Sequence, residues 1–125
     1  MMGEQFDATR PIYAQIAERM TARILSGEYP PGAHLESVRE LAAAAGVNPN
    51  TMQRALAYME SEGLLRTERT AGRYITEDAA LLEQLRRRTA HTIAKDYLDK
   101  MRDIGYGPDK AAEFVARWGQ EEEQE

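Results

Sequence analysis

Four neutral polar residues and one arginine lie within a short segment of the chain: Asn48, Asn50, Thr51, Gln53 and Arg54. Amide side chains can form paired hydrogen bonds with adenine, and threonine can offer its hydroxyl to phosphate or its methyl to thymine. Arginine binds phosphate through strong, charge-assisted hydrogen bonds. This combination suits the base edges and phosphates of a DNA duplex, so the segment indicates a DNA-contacting surface.

Several of these residues also have simpler interpretations. Asn48 is as well suited to cap a helix as to contact phosphate, and it can do both. Gln53 is equally well explained as an adenine contact or as an exposed helical residue without a partner. Arg54 either touches phosphate or pairs with a neighbouring acid. Asn50 has no structural role that the sequence shows, so a base or phosphate contact is favoured for it.

Two helices around a tight turn would position these side chains. Ser37 and Glu40 have the S-x-x-E spacing of a capping box, which predicts a helix from residue 38. Gly46 can adopt the positive φ that ends this helix, and Asn48 followed by Pro49 predicts the start of the next one. The inward face of the second helix would hold Met52, Ala55, Leu56 and Met59. A helix-turn-helix presents the start of its second helix to the major groove, although an ordinary helical hairpin would show a similar pattern.

A β-hairpin is predicted directly after the second helix. Residues 64–68 and 73–76 have the pattern of two short strands around the turn Arg69-Thr70-Ala71-Gly72. A hairpin at this place is the wing of a winged helix, and the two motifs together are much rarer by chance than either alone. We expect Arg69 to enter or flank the minor groove with Thr70 beside it, and Arg73 to add a phosphate contact. The alternative for Arg69 is a mobile loop residue.

The segment before the helix pair predicts a first helix and a short edge strand. Thr9 is predicted to cap this helix, and Gly27 to end it. The prolines and glycine of residues 30–32 exclude helix there, and residues 33–35 are predicted to form an edge strand beside the wing. The apolar stripe of the first helix consists of Ile12, Tyr13, Ile16, Met20, Ile24 and Leu25.

A second part of the chain is predicted to begin at residue 78. Glu77 and Asp78 would cap a helix of about 26 residues, and a break at residues 105–108 precedes a short last helix. Two helices cannot bury both of their apolar stripes alone, so a second copy of the chain is the simplest partner. The acidic end, residues 121–125, is predicted to be disordered. The stripes hold Leu81, Leu82, Leu85, Ile93, Tyr97, Met101 and Ile104, then Ala111, Phe114, Val115 and Trp118.

Composition excludes several classes of protein. The chain has 125 residues, no cysteine, and two histidines, His34 and His91, far apart in sequence. Disulfides and thiolate metal sites are therefore excluded, and neither a catalytic arrangement nor a metal or cofactor motif is visible, so no enzyme and no cofactor are expected. No apolar run approaches the roughly 20 residues of a membrane span. The N-terminus does not resemble a signal peptide, so a cytoplasmic location and no membrane partner are expected.

The net charge of −5 argues mildly against nucleic acid. Residues 1–77 hold 8 arginines and 10 acids, and residues 78–125 hold 8 basic and 11 acidic residues. The arginines at positions 39, 54, 66, 69 and 73 belong to the elements that would face a duplex. This distribution predicts DNA binding that is strongly salt-sensitive and of modest non-specific affinity.

A family resemblance rests on four motifs: P-I-Y-x-Q-I, the P-P-G loop, S-V-R-E-L-A and V-N-P-N-T-x-Q-R-A. With them, residues 10–76 resemble the DNA-binding domain of the GntR family of bacterial transcription regulators, and the short chain is most similar to the YtrA-like subfamily. The resemblance implies a winged helix-turn-helix, a two-helix dimerisation module and binding of a dimer to an inverted-repeat operator. It also implies a guanine or phosphate contact for Arg39. From the residues alone, this arginine opposes the helix dipole in the first turn of its helix, and the alternative is a solvated surface side chain.

The chain departs from the family pattern at two places. Glu36 stands where the family usually has proline, and it adds negative charge near the DNA backbone. The wing tip lacks the first of the two glycines that the family usually has there, which puts the usual close approach to the minor groove in doubt.

We therefore predict a mostly α fold with a small β wing. Residues 1–77 would form a winged helix-turn-helix domain, and residues 78–125 a helical dimerisation module with an acidic tail. The predicted function is a cytoplasmic transcription regulator, a repressor, that binds double-stranded DNA as a homodimer. The alternative is a winged helix that binds protein instead of DNA. A possible small-molecule effector site would be lined by Tyr97, Tyr106, Phe114 and Trp118, although such aromatic residues more often pack at an interface.

Overall fold

The computed structural model describes residues 5–124, which form five helices and a two-stranded antiparallel sheet. In chain order the elements are α1 (Ile12–Leu25), α2 (Val38–Ala45), α3 (Pro49–Ser61), β1 (Leu65–Glu68), β2 (Gly72–Ile75), α4 (Ala79–Asp103) and α5 (Pro108–Gln124). The predicted fold class, mostly α with a small β wing, is confirmed. The chain divides into two compact units, one running to Glu83 and the other starting at Gln84. The predicted domain boundary at residues 77–78 remains a prediction.

Helix α1 starts without a side-chain cap. The prediction that Thr9 caps it is wrong, because Thr9 donates its backbone N–H and its hydroxyl to Oδ1 of Asp7, at 2.9 and 2.7 Å. Gln15 secures the start of the helix instead. Its amide donates to the carbonyl oxygens of Asp7 and Arg10, at 2.6 and 3.0 Å, and accepts from the N–H of Asp7. These bonds satisfy a glutamine side chain that is otherwise buried.

Helices α2 and α3 form the predicted helix pair. Ser37 Oγ accepts from the N–H of Glu40 at 3.1 Å, and Glu40 Oε1 accepts from the N–H of Ser37 at 3.3 Å, which confirms the capping box. Gly46 follows α2 with a φ of 71°, the left-handed conformation that glycine adopts without steric cost. Helix α3 contacts α1, α2 and β1, so it is the central element of the first unit. The buried apolar side chains there include Ile16, Met20, Ile24, Leu35, Leu41, Met52, Ala55, Leu56, Met59, Leu64 and Ile75.

The two strands pair antiparallel, with Leu65 opposite Ile75. They begin and end within about one residue of the predicted segments, as is usual for strand boundaries. The predicted edge strand at residues 33–35 is present as a single bridge between His34 and Tyr74. The N–H of Ile75 donates to the carbonyl oxygen of Ala33 at 2.8 Å, so this segment does lie beside β2.

In the C-terminal part of the chain, Asp78 caps α4 as predicted, because its Oδ1 accepts from the N–H of Leu81 at 3.0 Å. The prediction of a short last helix and a disordered acidic end is wrong, since α5 runs from Pro108 to Gln124; residue 125 lies outside the described residues. Glutamate and glutamine are good helix formers and continue the helix. The hydroxyl of Tyr97 donates to the carbonyl oxygen of Ala111 at 2.8 Å and joins α4 to α5.

The second unit leaves large apolar side chains exposed. Ile93 is 64% exposed, Ile104 71% and Trp118 54%. The wider exposed set consists of Ile93, Leu98, Ile104, Tyr106, Phe114, Val115 and Trp118. Exposed large apolar side chains in this number are typical of a unit that binds another protein. Among the helices of residues 5–124, none is both long and apolar enough to cross a membrane.

Candidate nucleic-acid interface

The start of α3 exposes two of the predicted amides. Asn48 is the N-cap of the helix, and its Oδ1 accepts from the N–H of Asn50 at 2.7 Å. Asn50 and Gln53 are exposed, and Thr51 is half-buried. Within residues 5–124, the side chains of Asn50 and Gln53 form no hydrogen bond. Their donors and acceptors are therefore available to a ligand, whereas the carboxamide oxygen of Asn48 is already engaged.

Arg54 lies over the aromatic ring of Tyr13 in α1, with its Cζ 4.0 Å from the ring centroid. No acid pairs with Arg54 in the part of the chain that the structure describes. Both residues line an open groove of about 440 Å³ between the start of α1 and the start of α3. The remaining lining residues are Pro11, Ile12, Asn50 and Thr51.

Arg39 is exposed in the first turn of α2. The adjacent Glu40 is engaged in the capping box and does not pair with it. The positive end of the helix dipole disfavours a cation at this position. No described residue forms an ion pair or hydrogen bond with the Arg39 side chain, so no described contact compensates for that unfavourable field.

Three arginines of the first unit have no carboxylate partner among residues 5–124: Arg39, Arg54 and Arg69. They lie on α2, on α3 and at the wing tip. Several other arginines of the first unit are paired: Arg10 with Glu18, Arg23 with Glu28, Arg66 with Glu68 and Arg73 with Glu60. Ion pairs thus offset the charge of these four arginines, including Arg66 and Arg73 on the strands of the wing. The three unpaired cations lie in α2, in α3 and at the wing tip, which are parts of the elements predicted to face DNA.

Glu60, near the end of α3, links this helix to both strands of the wing. Its Oε1 accepts from Thr67 Oγ1 at 2.6 Å, and its Oε2 lies 3.7 Å from Arg73 Nε. Thr67 and Arg73 are opposite each other in the sheet. The Arg73 side chain is 18% exposed, and its Nε is buried without a hydrogen bond. The structure thus gives Arg73 a role in positioning the wing, and its phosphate contact remains a prediction.

His34 supports the turn of the wing. Its Nε2 lies 2.5 Å from the carbonyl oxygen of Ala71, so this nitrogen carries the proton and donates it. Gly72 has a φ of 96°, and a Cβ added there would lie 3.1 Å from His34 Nε2. Glycine is therefore favoured at position 72 for two reasons: the positive φ of the backbone and the closeness of His34. Arg69 and Thr70 are exposed at the tip, as predicted.

Glu36 places a negative charge just before the start of α2. It is exposed and lines an open groove of about 610 Å³ between the start of α2 and the wing. Burial raises the pKa of Tyr29, and the Glu36 carboxylate raises it further. The negative charge of Glu36 therefore affects Tyr29, and it would repel a phosphate near this groove.

The sequence does not identify three residues that contact parts of the predicted interface: Tyr13, His34 and Glu60. Tyr13 fits the apolar stripe of α1, and His34 fits a surface strand residue. Glu60 could have been found only by its charge, which complements that of Arg73 in the following hairpin. The shared reason is that each contact joins different elements, and local sequence patterns do not specify such contacts.

The second unit has an open groove of about 230 Å³, lined by Tyr106, Lys110, Glu113, Phe114 and Arg117. The ring centroids of Tyr106 and Phe114 lie 6.5 Å apart. Of the predicted aromatic set, these two line the groove, and the other two do not. Within residues 5–124, no cluster of three or more His, Cys, Asp or Glu side chains could hold a metal ion.

Sequence comparison connects the chain with known regulators. Residues 12–75 match the model of the family described as bacterial regulatory proteins, gntR family. The HTH-type transcriptional regulator YhcF of Bacillus subtilis is 35% identical over 114 residues, which cover 91% of this chain and 94% of YhcF. The HTH-type transcriptional repressor YtrA of the same bacterium is 44% identical over 72 residues, which cover 58% of this chain and 55% of YtrA.

Structural comparison gives a similar result. A GntR family transcriptional regulator from Listeria monocytogenes superimposes with a TM-score of 0.82 and 38% identity, covering 90% of this chain and 98% of that one. AraR(DBD) in complex with operator ORR3 superimposes with a TM-score of 0.52 and 28% identity, covering 61% of this chain and 89% of that one. The second match covers about the length of the first unit alone.

Proposed function

Because this chain belongs to the gntR family of bacterial regulatory proteins, we propose that it is a cytoplasmic repressor that binds an inverted-repeat operator as a homodimer. The family and its relatives are DNA-binding transcription regulators, which confirms the predicted class and the prediction that the chain is not an enzyme. The predicted resemblance to YtrA is confirmed as well. Repression, the symmetric operator and the dimer are the parts proposed here.

The observation that carries the proposal is the position of the three unpaired arginines. Arg39, Arg54 and Arg69 lie on the three elements with which a winged helix-turn-helix meets a duplex. A DNA phosphate would supply the negative charge that no described residue supplies to them. The similar AraR(DBD) is in complex with an operator in its crystal structure, which supports DNA as the partner of this unit.

The proposed contacts at the start of α3 follow from the hydrogen-bond donors and acceptors that each side chain does not use within the protein. Asn50 and Gln53 keep their whole amides, so they read base edges in the major groove. Asn48 Oδ1 is occupied by the cap, so this residue reaches phosphate only through its amide N–H groups. Thr51 offers its hydroxyl to phosphate. At the wing tip, Arg69 and Thr70 lie against the minor groove.

The second unit supplies the homodimer. Its exposed isoleucines and aromatic residues are unfavourable in contact with water. In a symmetric dimer, the same surface of a second copy would cover them. A dimer places two copies of α3 about one helical turn of DNA apart, which is the spacing that an inverted repeat matches.

A small-molecule effector is a second part of the proposal, favoured by the groove that Tyr106 and Phe114 line. Glu113 also lines this groove and pairs with Arg117 at 2.9 Å, so Lys110 is the cationic group left at the aromatic surface to attract a small planar anion. Thermal stabilisation by aromatic carboxylates, lost in Phe114→Ala, would support this site. No shift across a panel of such anions would remove it from the proposal.

The proposed function is tested by titrating the protein against the DNA upstream of its own gene, at two salt concentrations and with a random duplex as competitor. Selective binding that weakens as salt rises supports the regulator, and footprinting then gives the spacing of the half-sites. A folded dimer that binds neither duplex at low salt would favour the protein-binding winged helix instead.

A further inference from the structure

We propose that Tyr13 is a positioning residue of the DNA interface, whose ring holds the guanidinium of Arg54 so that Arg54 binds one backbone phosphate in the groove between α1 and α3. This inference rests on the proposed function and adds a residue outside the helix-turn-helix to it. Tyr13 acts through Arg54, and its own hydroxyl is not part of the contact.

The geometry of the pair supports this role. The 4.0 Å between Arg54 Cζ and the Tyr13 ring centroid is well inside the distance at which a cation is attracted to an aromatic face. Tyr13 is half-buried in α1, which packs on α3, so the ring is a fixed platform, whereas Arg54 is exposed. A guanidinium covered on one face keeps N–H donors at its rim, where a phosphate oxygen can accept them.

The lining of the groove indicates a phosphate. No carboxylate lines it, and besides the two aliphatic residues Pro11 and Ile12 it offers the neutral polar side chains of Asn50 and Thr51. The groove opens beside the start of α3, at the rim of the helix that enters the major groove, where the DNA backbone passes. An arginine held there before binding loses less side-chain entropy when it meets the phosphate.

The chain contains a second pair of the same kind, which serves as a control. Arg19 Cζ lies 4.4 Å from the ring centroid of Phe6, and Arg19 also donates to the carbonyl oxygen of Gln5. Neither Arg19 nor Phe6 lines the groove. That arginine is therefore engaged within the protein, and removing its aromatic partner should leave the phosphate contacts unchanged.

The test compares full-length Tyr13→Phe, Tyr13→Leu, Arg54→Ala, the Tyr13→Leu/Arg54→Ala double variant and Phe6→Leu. Affinity for operator and for a random duplex is measured over a series of salt concentrations, and thermal unfolding of each variant checks its fold. The phenylalanine variant keeps the ring, so it separates the platform from the hydroxyl even if the leucine variant loses stability.

We expect Arg54→Ala to weaken both duplexes alike and to reduce the slope of log affinity against log salt by about 0.9, the value for one phosphate. Tyr13→Leu should weaken both by about two- to fivefold, the range that an exposed cation–π contact supports. Tyr13→Phe and Phe6→Leu should bind like the parent, and Tyr13→Leu should have no further effect once Arg54 is alanine.

Three results would overturn the inference: additive losses in the double variant, a loss in Tyr13→Phe, or parental binding by Tyr13→Leu. Additivity or a phenylalanine defect would mean that Tyr13 contacts DNA itself. If the unsubstituted protein showed no selectivity for operator, the proposed function would be contradicted instead. The affinities of the same variants for the random duplex would still test the role of Tyr13.

Discussion

Glu60 on α3 and Arg73 on β2 form an ion pair, with 3.7 Å between Oε2 and Nε, that ties the helix predicted to read bases to the wing predicted to grip the adjacent groove. The second carboxylate oxygen of Glu60 accepts from Thr67 on the neighbouring strand. This side chain therefore helps to fix the position of the wing relative to α3.

Replacing Glu60 by alanine should lower the free energy of unfolding by about 1–3 kcal/mol, because the mostly buried Arg73 would lose its one acid partner among the described residues. Urea unfolding measures this change. The control is Glu68→Ala, which removes the acid of the exposed Arg66–Glu68 pair and should cost less than about 1 kcal/mol. Equal losses in both variants would show that the Glu60 link is no more than a surface ion pair.

Replacing His34 by alanine should loosen the wing tip. The lost hydrogen bond to Ala71 is worth about 0.5–1.5 kcal/mol, so the amides of the turn should exchange faster with solvent and operator affinity should fall about two- to tenfold. Hydrogen exchange and the operator titration measure the two effects. His91→Ala, at an exposed position of α4, is the matched control and should change neither.

Replacing Glu36 by glutamine should tighten DNA binding by about two- to fivefold at low salt, because a charge that opposes phosphate is removed. The gain should vanish near 1 M salt, where charges are screened over about 3 Å. Glu121→Gln removes the same charge from α5. An equal gain in that variant would show that net charge, and not the place of Glu36, governs affinity.

Replacing Arg39 by alanine should cost about 1–3 kcal/mol on operator DNA if the arginine reads a base. Because Arg39 is exposed in the first turn of α2, the variant should fold like the unsubstituted protein, and thermal unfolding checks this. The titration is repeated on a random duplex. A loss of the same size there would assign Arg39 to a phosphate.

Replacing Ile93 by aspartate should shift the protein toward monomer, because a charge would enter the surface that the proposed second copy would cover. Sedimentation velocity measures the shift, and operator affinity should fall with it. Thr89→Asp places the same charge at another exposed position of α4. A dimer that persists in Ile93→Asp would locate the interface elsewhere.

Features of the fold that depend on neighbouring residues were predictable from the sequence. The capping box spans four residues, and the left-handed Gly46 and the Asn48 cap each act within one turn. Such signals depend on local backbone geometry, which the residue types themselves restrict. The start of α2, the start of α3 and the exposed amides in the first turns of α3 could therefore be placed without a structure.

Contacts between elements were not predictable. Gln15 meets Asp7 eight positions away, and His34 meets Ala71 across 37 positions. Contacts over such separations depend on how the helices and strands pack against each other. The local sequence pattern does not specify that packing. The acidic end shows a different limit, because its composition suggests disorder while its glutamates also favour helix.

The three unpaired cations of the first unit are all arginines, and the first lysine of the sequence is Lys95. Arginine stays protonated at every pH at which bacteria grow, and acetylation of lysine cannot neutralise it. The contribution of these three arginines to DNA attraction should therefore stay constant while pH or acetyl-donor supply changes. Lysine-directed labels and surface coupling would attach at Lys95, Lys100 and Lys110, and would leave the charge of the DNA-facing elements intact.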